Sequence, residues 1–352
     1  MKYLFLYFIL LMELYNDDCF NVFPKIKDNT IDLFVLDLPY ANKDFGKCTA
    51  CKWDNTIDLD KMWVEIKRIM KPNAVIIFFC NTKFGFSLIK SNMKWFRYDL
   101  IFKKSRKVGF LSANRAPLRQ HENIYVFSDA DDDLENNKNK ELRSYAEHVK
   151  KYIGKTKTEI VKTIGQSVDH FLRIKSSQFG IPTEKTYNKL IETYKINEME
   201  GFIDYEKLEK TWKNENETTY NPQKTEGKPY KTNGRKEGDM VYGSVKGEPI
   251  ENKGDRHPTS IYPDTIDNTI LEHNNPKKSL HRTQKPVSLC EWLIKTYSNE
   301  KDTVMDFTMG SGTTGVACKH TNRNFIGVEM DKEIFKIAKD RLEKIDKIDK
   351  VI

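Results

Sequence analysis

Two short segments, far apart in the chain, join an apolar run to a turn that carries an acidic residue. Asp37-Leu38-Pro39-Tyr40 follows the apolar run Ile31–Leu36. The second turn, residues 306–315, begins with Asp306 and directly follows Thr303-Val304-Met305. In open parallel α/β sheets, ligands bind outside the carboxyl ends of the strands. The sequence therefore predicts that both turns face one crevice.

The second turn is rich in glycine and suits a cofactor that carries adenosine. Gly310, Gly312 and Gly315 permit a tight turn and close approach of the backbone, with the next helix N-terminus aimed at the ligand. No Gly-Lys-Ser/Thr sequence follows, so the turn lacks the lysine of a P-loop. Glu329 ends the next predicted strand, where a carboxylate can accept hydrogen bonds from ribose hydroxyls. A plain strand–helix turn is the alternative interpretation.

The first turn suits a flat base with an exocyclic amino group. The lone pair of such a nitrogen is delocalised into the ring, so the nitrogen is a poor nucleophile. The Asp37 carboxylate and the Leu38 carbonyl can accept its two N–H bonds and stabilise charge as it develops. Pro39 fixes the turn, and Tyr40 offers a flat face for an extruded base. An ordinary turn is again the alternative.

Composition allows one large domain with an inserted lobe, or two domains. The chain has 352 residues, 38% of them hydrophobic and 12% aromatic, which excludes general disorder. Its net charge of +8 fits a polyanionic partner. The six cysteines are scattered, as expected of reduced thiols in the cytosol. Cys48 and Cys51 have zinc-ligand spacing, but no second pair completes four ligands, so we expect no metal.

One apolar run near the start, residues 3–12, is the only candidate targeting segment. It is shorter than the roughly 20 residues that span a bilayer. It also lacks a small-x-small cleavage site and continues into polar residues. We therefore expect a cytoplasmic protein that does not enter a membrane.

Strands and helices alternate at both ends of the chain, which predicts an α/β fold with a doubly wound, mostly parallel, Rossmann-like sheet. The predicted strands are residues 13–15, 31–36, 74–80, 100–102, 124–127, 303–306 and 324–329. The predicted helices are residues 20–27, 59–70, 84–90, 287–297, 313–320 and 332–345. A third strand beyond residue 329 is missing, and residues 14–18 can supply it if the order is circularly permuted.

The middle of the chain breaks this alternation. Residues 129–140 are a charged boundary, residues 141–212 are helical with a capping-box pattern at Thr156 to Glu159, and residues 214–253 have the composition of a mobile loop. The sequence thus predicts a catalytic half at residues 1–128, a helical and loop insert for target recognition at residues 129–275, and a cofactor-binding half at residues 276–352 that completes the same domain.

Three motifs, in their order along the chain, resemble the β-group of amino-methylating DNA methyltransferases. They are the Asp37 turn, the segment His281-Arg282-Thr283-Gln284-Lys285-Pro286, and the turn at Asp306. The best-known members of the group are bacterial and phage adenine-N6 enzymes that use S-adenosylmethionine. The likeness extends through Lys52-Trp53-Asp54, residues 99–102 and residues 121–124, and it is weak in the middle of the chain.

The resemblance implies a set of cofactor contacts and of catalytic residues. Asp37, Leu38, Pro39 and Tyr40 would be catalytic. Glu329 would bind the ribose, Thr283 and Lys285 the methionine end, and Asp18 with Cys19 the adenine ring. The remaining cofactor contacts would be Asp306, Phe307, Gly310, Ser311, Gly312 and Thr313. The family motif usually has proline at position 38, so leucine here loosens the turn.

Basic residues precede and follow the segment Val108-Gly109-Phe110. We expect Lys104, Arg106, Lys107, Arg115 and Arg119 to grip phosphates around an extruded base. A solvated charged loop is the alternative. The helical insert is the candidate region for target recognition, and a packing or dimer role is its alternative.

The leading hypothesis is an adenine-N6 DNA methyltransferase that extrudes its base from duplex DNA and transfers the methyl group by direct displacement. Cytosine-N4 transfer is the close alternative, and a DNA-binding homologue with weakened catalysis is another. The sequence leaves open a homodimer and a cognate restriction endonuclease as partners.

Overall fold

The protein is described by a computed structural model that covers residues 10–41, 46, 55–129, 139–176, 178–231, 251–262 and 284–349. Two compact units divide the chain. The first comprises Met1–Ile69, Ile76–Phe127 and Thr219–Ile352, and the second comprises Met70–Val75 and Ser128–Thr218. The first unit carries the large sheet and the second is helical.

Twelve strands lie within the described residues. They are β1 (Met12–Tyr15), β2 (Ile31–Leu36), β3 (Met70–Cys80), β4 (Phe96–Val108), β5 (Arg119–Ser128), β6 (Thr225–Glu226), β7 (Tyr230–Lys231), β8 (Glu251–Asn252), β9 (Asp255–Arg256), β10 (Ile261–Tyr262), β11 (Thr303–Asp306) and β12 (Asn324–Val328). Eight of them form one sheet in the order β1-β12-β11-β2-β3-β5-β4-β10. This confirms the expected α/β class, with a mainly parallel sheet.

Ten α-helices accompany the strands in the described part of the chain. They are α1 (Cys19–Val22), α2 (Leu59–Ile69), α3 (Thr82–Ser91), α4 (Lys140–Ile153), α5 (Lys157–Ile164), α6 (Glu184–Tyr194), α7 (Tyr205–Asn216), α8 (Val287–Tyr297), α9 (Thr313–His320) and α10 (Lys332–Asp349). No helix in these ranges is long and apolar enough to cross a membrane.

The N-terminal strand β1 pairs with β12, which lies at one side of the glycine turn's strand β11 in the sheet. β1 runs parallel to β12, with Met12 opposite Phe325 and Tyr15 opposite Val328. β12 is parallel to β11, and β11 is parallel to β2. The expectation of a third strand supplied by the N-terminal segment is therefore confirmed. The circular permutation itself stays a prediction.

Two strands are much longer than the sequence predicts. The predictions covered residues 100–102 and 124–127, whereas β4 has 13 residues and β5 has 10. These strands form an antiparallel pair, and their additional residues are largely charged or polar. Hydrogen bonds between the two strands, and not burial of side chains, hold these residues extended. The pattern of apolar residues therefore does not reveal them.

The helix predicted over residues 20–27 is wrong beyond its first turn. α1 ends at Val22, and a 3-10 helix covers Phe23–Lys25 with Pro24 in its first turn. Proline has no backbone N–H, so it cannot continue the α-helical hydrogen bonds. A second difference concerns β3, which begins at Met70, whereas the predicted strand begins at residue 74; Pro72 therefore lies within the strand.

The helical unit has its own core. Helices α4 to α7 surround the buried residues Leu142, Tyr145, Val149, Ile160, Phe171, Tyr187, Leu190 and Leu208. The capping box at Thr156 and Glu159 is present at the start of α5, as predicted. The unit ends at Thr218, whereas β10 belongs to the large sheet, so the helical unit is shorter than the predicted insert of residues 129–275.

Short strands occupy part of the segment predicted as a mobile loop. β6 pairs with β9 and β7 pairs with β8, both antiparallel. Arg256 places its guanidinium over the Tyr230 ring, 4.6 Å from the ring centroid. The strand pairs, together with this cation–π contact between the two small sheets, give order to residues whose composition is polar.

Candidate active site

The two turns that the sequence singled out line one cavity of about 530 Å³ in the first unit. The cavity lies at the carboxyl ends of β1, β2, β11 and β12, as expected for an open α/β sheet. Its walls include most of the predicted site residues, namely Asp18, Cys19, Asp37, Leu38, Pro39, Tyr40, Lys104, Lys285, Asp306, Phe307, Gly310, Ser311, Thr313 and Glu329. The chain thus brings together residues from both of its ends.

Glu329 connects the glycine turn to the next helix. One carboxylate oxygen, Oε2, accepts the Gly310 backbone N–H at 3.0 Å, and Oε1 accepts the Asp331 N–H at 2.8 Å. Burial raises the pKa of Glu329 although both hydrogen bonds favour its ionised form. Each oxygen of an ionised carboxylate has two lone pairs, so hydroxyl donors can bind beside these N–H groups.

Asp306 holds the start of the glycine turn to the helix that follows it. Its carboxylate accepts the Thr314 hydroxyl at 2.7 Å and the Thr308 N–H at 3.1 Å. Burial raises the pKa of Asp306 to about 7, since these two hydrogen bonds only partly offset the loss of hydration. This carboxyl group therefore ionises at a much higher pH than a solvated aspartate.

Two groups in the glycine turn are braced by Arg341, which the sequence analysis did not single out. Its guanidinium donates to the Ser311 carbonyl at 3.0 Å and to the Thr313 hydroxyl at 3.2 Å. Gly312 does not line the cavity. It has a φ of +76°, and a side chain there would meet Ala338 Cβ at 3.2 Å, so its absence of a side chain lets α10 pack against the turn.

Asp18 and Cys19 lie at the start of α1 and line the cavity. Asp18 is the N-cap, and its carboxylate accepts the Phe20 N–H at 2.8 Å. Burial and the nearby Asp18 carboxylate raise the pKa of the Cys19 thiol to about 12. Cys19 is therefore a neutral thiol at physiological pH, a packing surface and not a nucleophile.

Contacts of the Tyr40 side chain hold the Asp37 turn in place. The Tyr40 hydroxyl donates to Asp37 Oδ1 at 3.1 Å and to Glu122 Oε1 at 2.7 Å. The Tyr40 ring stacks on Phe84, with centroids 5.6 Å apart and planes 23° apart. Leu38 is only 2% exposed, so the residue that replaces the usual proline is held by packing.

Two lysines and two carboxylates, one of which is Asp37, form a partly buried charge cluster in the cavity wall. Lys285 Nζ lies 2.5 Å from Asp37 Oδ2 and 3.7 Å from Glu122 Oε2. Lys104 Nζ contacts the same Glu122 oxygen at 3.1 Å. Lys285 also lies over the Phe79 ring, 4.9 Å from its centroid. The cluster is held by elements that are distant in sequence.

The charges of this cluster set its pKa values. Burial, the largest influence, raises the pKa of Asp37, Lys285 lowers it and Glu122 raises it further, with a net increase. Burial alone would raise the pKa of Glu122, but the ammonium groups of Lys285 and Lys104 hold it below its usual value. The two carboxylates in turn raise the pKa of Lys285 against the effect of its burial.

Lys285 was predicted to contact the methionine end of a cofactor, and the structure places its ammonium group on Asp37. The residue still lines the cavity, between the two turns. Glu122 appeared in the sequence only as part of a resembling segment, and no role followed from it. In the sequence, Glu122 is an acidic residue next to residues that form a strand. Its position near Asp37 becomes evident only when β5 is placed beside β3 in the sheet. Thr283 lies outside the described residues, as do His281, Arg282, and residues 52–54.

The predicted DNA-binding residues do not all face the cavity. Lys104 lines the cavity and contacts Glu122, whereas Lys107, Arg115 and Arg119 are not among the residues of its walls. Arg119 donates to the Thr82 hydroxyl at 2.9 Å. The side chain of Arg106 lies outside the described part of the structure. Lys107 and Arg115 are exposed.

No group of three or more His, Cys, Asp or Glu side chains suited to a metal ion occurs among the described residues. Cys48 and Cys51 are outside that range. The arrangement combines a glycine turn with carboxylates at two strand ends, a pattern that suits an adenosine-bearing ligand. Opposite it lies a carboxylate with an aromatic ring, a pattern that suits a flat group with N–H donors. Both patterns occur in one cavity.

Comparisons with known proteins give a family and several relatives. The sequence pattern of a DNA methylase family of the N6/N4 type matches residues 31–340. The type II methyltransferase M.HpaI of Haemophilus parainfluenzae is 44% identical over 73 residues, 21% of this chain and 23% of the relative. M2.DpnII of Streptococcus pneumoniae is 49% identical over 63 residues, 18% of this chain and 24% of the relative. M.HindIII of Haemophilus influenzae is 33% identical over 123 residues, 33% of this chain and 37% of the relative.

The chain matches about a quarter of the length of M.HpaI and of M2.DpnII. Among solved structures, the crystal structure of an M1.HpyAVI–SAM complex superposes with a TM-score of 0.45 at 17% identity, covering 94% of this chain and all of that one.

Proposed function

Because the chain belongs to the DNA methylase family, we propose that it transfers the methyl group of S-adenosylmethionine to the N6 amino group of adenine in a specific sequence of duplex DNA. The observation that carries the proposal is that the glycine turn at Asp306 and the Asp37 turn line one cavity. A methyl donor on the first turn and an extruded base on the second would then be neighbours.

The cofactor side of the cavity fits the adenosine and methionine parts of S-adenosylmethionine. Glu329 presents a carboxylate at the end of β12, suited to the ribose hydroxyls, and Asp18 reaches the cavity from the end of β1. The glycine turn brings backbone close to the ligand without side-chain obstruction. When bound, the cofactor supplies an electrophilic methyl group on a sulfonium.

The base side of the cavity fits an exocyclic amine. Asp37 accepts one N–H and the Leu38 carbonyl accepts the other, which draws the nitrogen toward tetrahedral geometry and stabilises its developing positive charge. Tyr40 stacks on the base. The new nitrogen–carbon bond would form as the carbon–sulfur bond of the sulfonium breaks and releases the thioether, and the amino group would lose one proton to the Asp37 carboxylate or to water. No covalent enzyme intermediate is then required. The aspartate at the start of the turn supports adenine N6 over cytosine N4, the alternative on the same scaffold.

The charge cluster keeps Asp37 ready for this role. Its Oδ2 faces Lys285 and its Oδ1 faces Tyr40, which uses two of roughly four acceptor positions of a carboxylate. An amino group can therefore bind Asp37 without complete displacement of either partner. Lys285 and Tyr40 also fix the plane of the carboxylate, so its geometry is set before the base arrives.

DNA contacts would come from the end of β4, the start of β5 and the segment between them, and from the helical unit. Lys107, Arg115 and Arg119 would bind phosphates, and helices α4 to α7 would take part in target recognition. A homodimer and a cognate restriction endonuclease remain proposals of the same kind. The net charge of +8 supports a polyanionic substrate.

The decisive experiment is incubation with labelled S-adenosylmethionine and duplex DNA, followed by digestion to nucleosides. We expect N6-methyladenine. N4-methylcytosine would replace the adenine assignment with the alternative, and absence of label would refute transferase activity on DNA.

Asp37→Ala should reduce transfer by at least a thousandfold and leave cofactor affinity within about threefold, because it removes an acceptor that matters most in the transition state. Asp60→Ala, on the exposed side of α2, is the matched control and should behave as the unmodified protein. Substantial transfer by Asp37→Ala would contradict the role of Asp37.

A further inference from the structure

The segment that joins β4 to β5 ends in an apolar tip that faces solvent. Leu111 is fully exposed and Phe110 is 67% exposed. Both belong to a 3-10 turn, Phe110–Ser112, that follows Gly109 with a φ of +95°. No element among the described residues covers these large apolar side chains at the end of the hairpin, an arrangement that is unusual for a stable surface and indicates a binding role.

The tip is held in an ordered turn. The Ser112 N–H donates to the Gly109 carbonyl at 2.9 Å, and the Ala113 N–H donates to the Phe110 carbonyl at 3.1 Å. Two further bonds, from the N–H groups of Arg115 and Ala116 to the Ser112 carbonyl, close the next turn. Phe110 and Leu111 are therefore presented by a defined backbone, which lowers the entropy lost on binding.

Charge identifies the partner as a polyanion. Residues 103–119 contain six Lys or Arg and no Asp or Glu. Lys107 and Arg115, one on each side of the tip, are exposed. A basic surface around an apolar tip suits a nucleic acid, because the cations bind phosphates while the apolar side chains contact bases.

The base of the hairpin belongs to the cavity wall. Val108 lines the cavity and lies opposite Arg119 in the β4–β5 register. Lys104, four residues earlier, is paired with Glu122 in the charge cluster. The tip thus projects from the rim of the site in which a base would be methylated.

We propose that Phe110 and Leu111 enter the base stack of the DNA duplex and occupy the space that the extruded base leaves. This inference rests on the proposed function. Removal of a base from the duplex exposes the apolar faces of its neighbours, and an inserted apolar side chain restores part of the lost stacking. The flanking cations hold the strand on either side of the gap.

The test begins with the sequence that the protein methylates, found by sequencing plasmid DNA after treatment. Duplex oligonucleotides then carry a fluorescent base analogue at the target position, with either the normal partner or an abasic site opposite. Two readouts are followed, the rise in fluorescence on binding and the single-turnover rate of methyl transfer.

The double variant Phe110→Ala with Leu111→Ala should lose the fluorescence rise and transfer methyl at least tenfold more slowly on the normal duplex. On the duplex with the abasic site its rate should lie within threefold of the unmodified protein, because less pairing must be broken. Phe110→Trp with Leu111→Met should retain function. Phe86→Ala, which removes another exposed phenylalanine, is the matched control and should have no effect.

Unchanged opening and transfer by the alanine variant would overturn the insertion, as would an equal loss of transfer on both duplexes. Loss of binding to phosphatidylserine vesicles, with DNA opening and transfer unaffected, would instead assign the tip to an anionic membrane surface and overturn it too. If the unmodified protein methylates no DNA in the first step, the proposed function itself has failed. The two failures are therefore distinguishable.

Discussion

Opposing influences act on the carboxyl group of Asp37. Burial and Glu122 favour its protonated form, and Lys285 favours the carboxylate. Only the carboxylate can accept an N–H from an amino group at both of its oxygens. The pH dependence of methyl transfer should therefore report this balance, and each neighbour can be removed separately.

Lys285→Met should move the acidic limb of the pH profile to higher pH. The substitution removes the ammonium group that lowers the Asp37 pKa and leaves the burial and the Glu122 charge that raise it, so the Asp37 pKa must rise. The measurement is kcat/KM for methyl transfer between pH 5 and 9. Lys339→Met, at an exposed lysine of α10, is the control. A shift to lower pH would contradict the role of Lys285.

Glu122→Gln should move the same limb in the opposite direction. The amide can still accept a hydrogen bond from Tyr40, but the negative charge that raises the Asp37 pKa is gone, so the Asp37 pKa falls and activity persists to lower pH. The same pH series tests this, and Glu343→Gln on the surface of α10 is the control. An unshifted limb would mean that the Glu122 charge does not reach Asp37.

Individual residues were predictable from the sequence where a local pattern carried the chemistry. The acidic residues Asp37 and Asp306 follow apolar strands, and both line the cavity. The partner of Asp37 was not predictable, since Lys285 is 248 positions away. Lys285 was expected beside the cofactor. A sequence motif gives the type of a residue, but it does not give the atom that the side chain contacts. Glu122 was missed for the same reason.

At the scale of elements, one carboxyl group connects a strand, a turn and a helix. Asp306 ends β11, bonds the N–H of Thr308 in the turn and bonds the hydroxyl of Thr314 in α9. Burial raises its pKa to about 7. In the unfolded chain this group ionises near its ordinary value of 3.8. Between these two pH values the folded state binds more protons than the unfolded state, so stability falls as pH rises.

Asp306→Asn should therefore be more stable than the unmodified protein at pH 8 and no more stable at pH 4. The amide oxygen can keep the Thr314 hydrogen bond without a buried charge. A difference of about three pKa units corresponds to at most about 4 kcal/mol. Urea unfolding of the cofactor-free protein at both pH values is the measurement, with Asp340→Asn on α10 as the control. Equal stability of the two proteins at pH 8 would show that the Asp306 charge is well solvated.

The strands and helices whose residues are most buried were predicted best. β2, β11 and β12 have continuous apolar sequences, and their predicted bounds agree with the structure within one residue. β4 and β5 carry charges on residues held mainly by pairing with each other, so their ends were missed. α1 was overextended because helical periodicity continued through Pro24, where the backbone lacks a hydrogen-bond donor.

At the scale of the whole molecule, the fold makes one site from distant parts of the sequence. The Leu11 carbonyl accepts the Phe325 N–H at 2.9 Å, and the Asn16 side chain donates to the Glu329 carbonyl at 2.8 Å. Such contacts position the end of β1, with Asp18 next to it, beside the end of β12. The N-terminal strand was predicted because a doubly wound site needs a third strand that the C-terminal segment does not provide.

The distribution of charge over the molecule leads to the last prediction. If the basic segment 103–119 holds DNA, the affinity for DNA should fall steeply with salt, with a slope of about 0.9 in log K per log salt for each phosphate contacted. Lys107→Ala with Arg115→Ala should then reduce the magnitude of that slope by about 2.

The control removes the same charge at the other edge of the sheet. Lys27 precedes β2 and Lys90 lies in the last turn of α3, so both exposed lysines are remote from the carboxyl ends of the strands. Lys27→Ala with Lys90→Ala should leave the slope nearly unchanged, because counterion release depends on cations that contact phosphates and not on the total charge. Both slopes are measured by fluorescence anisotropy with a labelled duplex, at salt concentrations from roughly 50 to 300 mM. Equal slopes for the two variants would place the DNA elsewhere on the molecule.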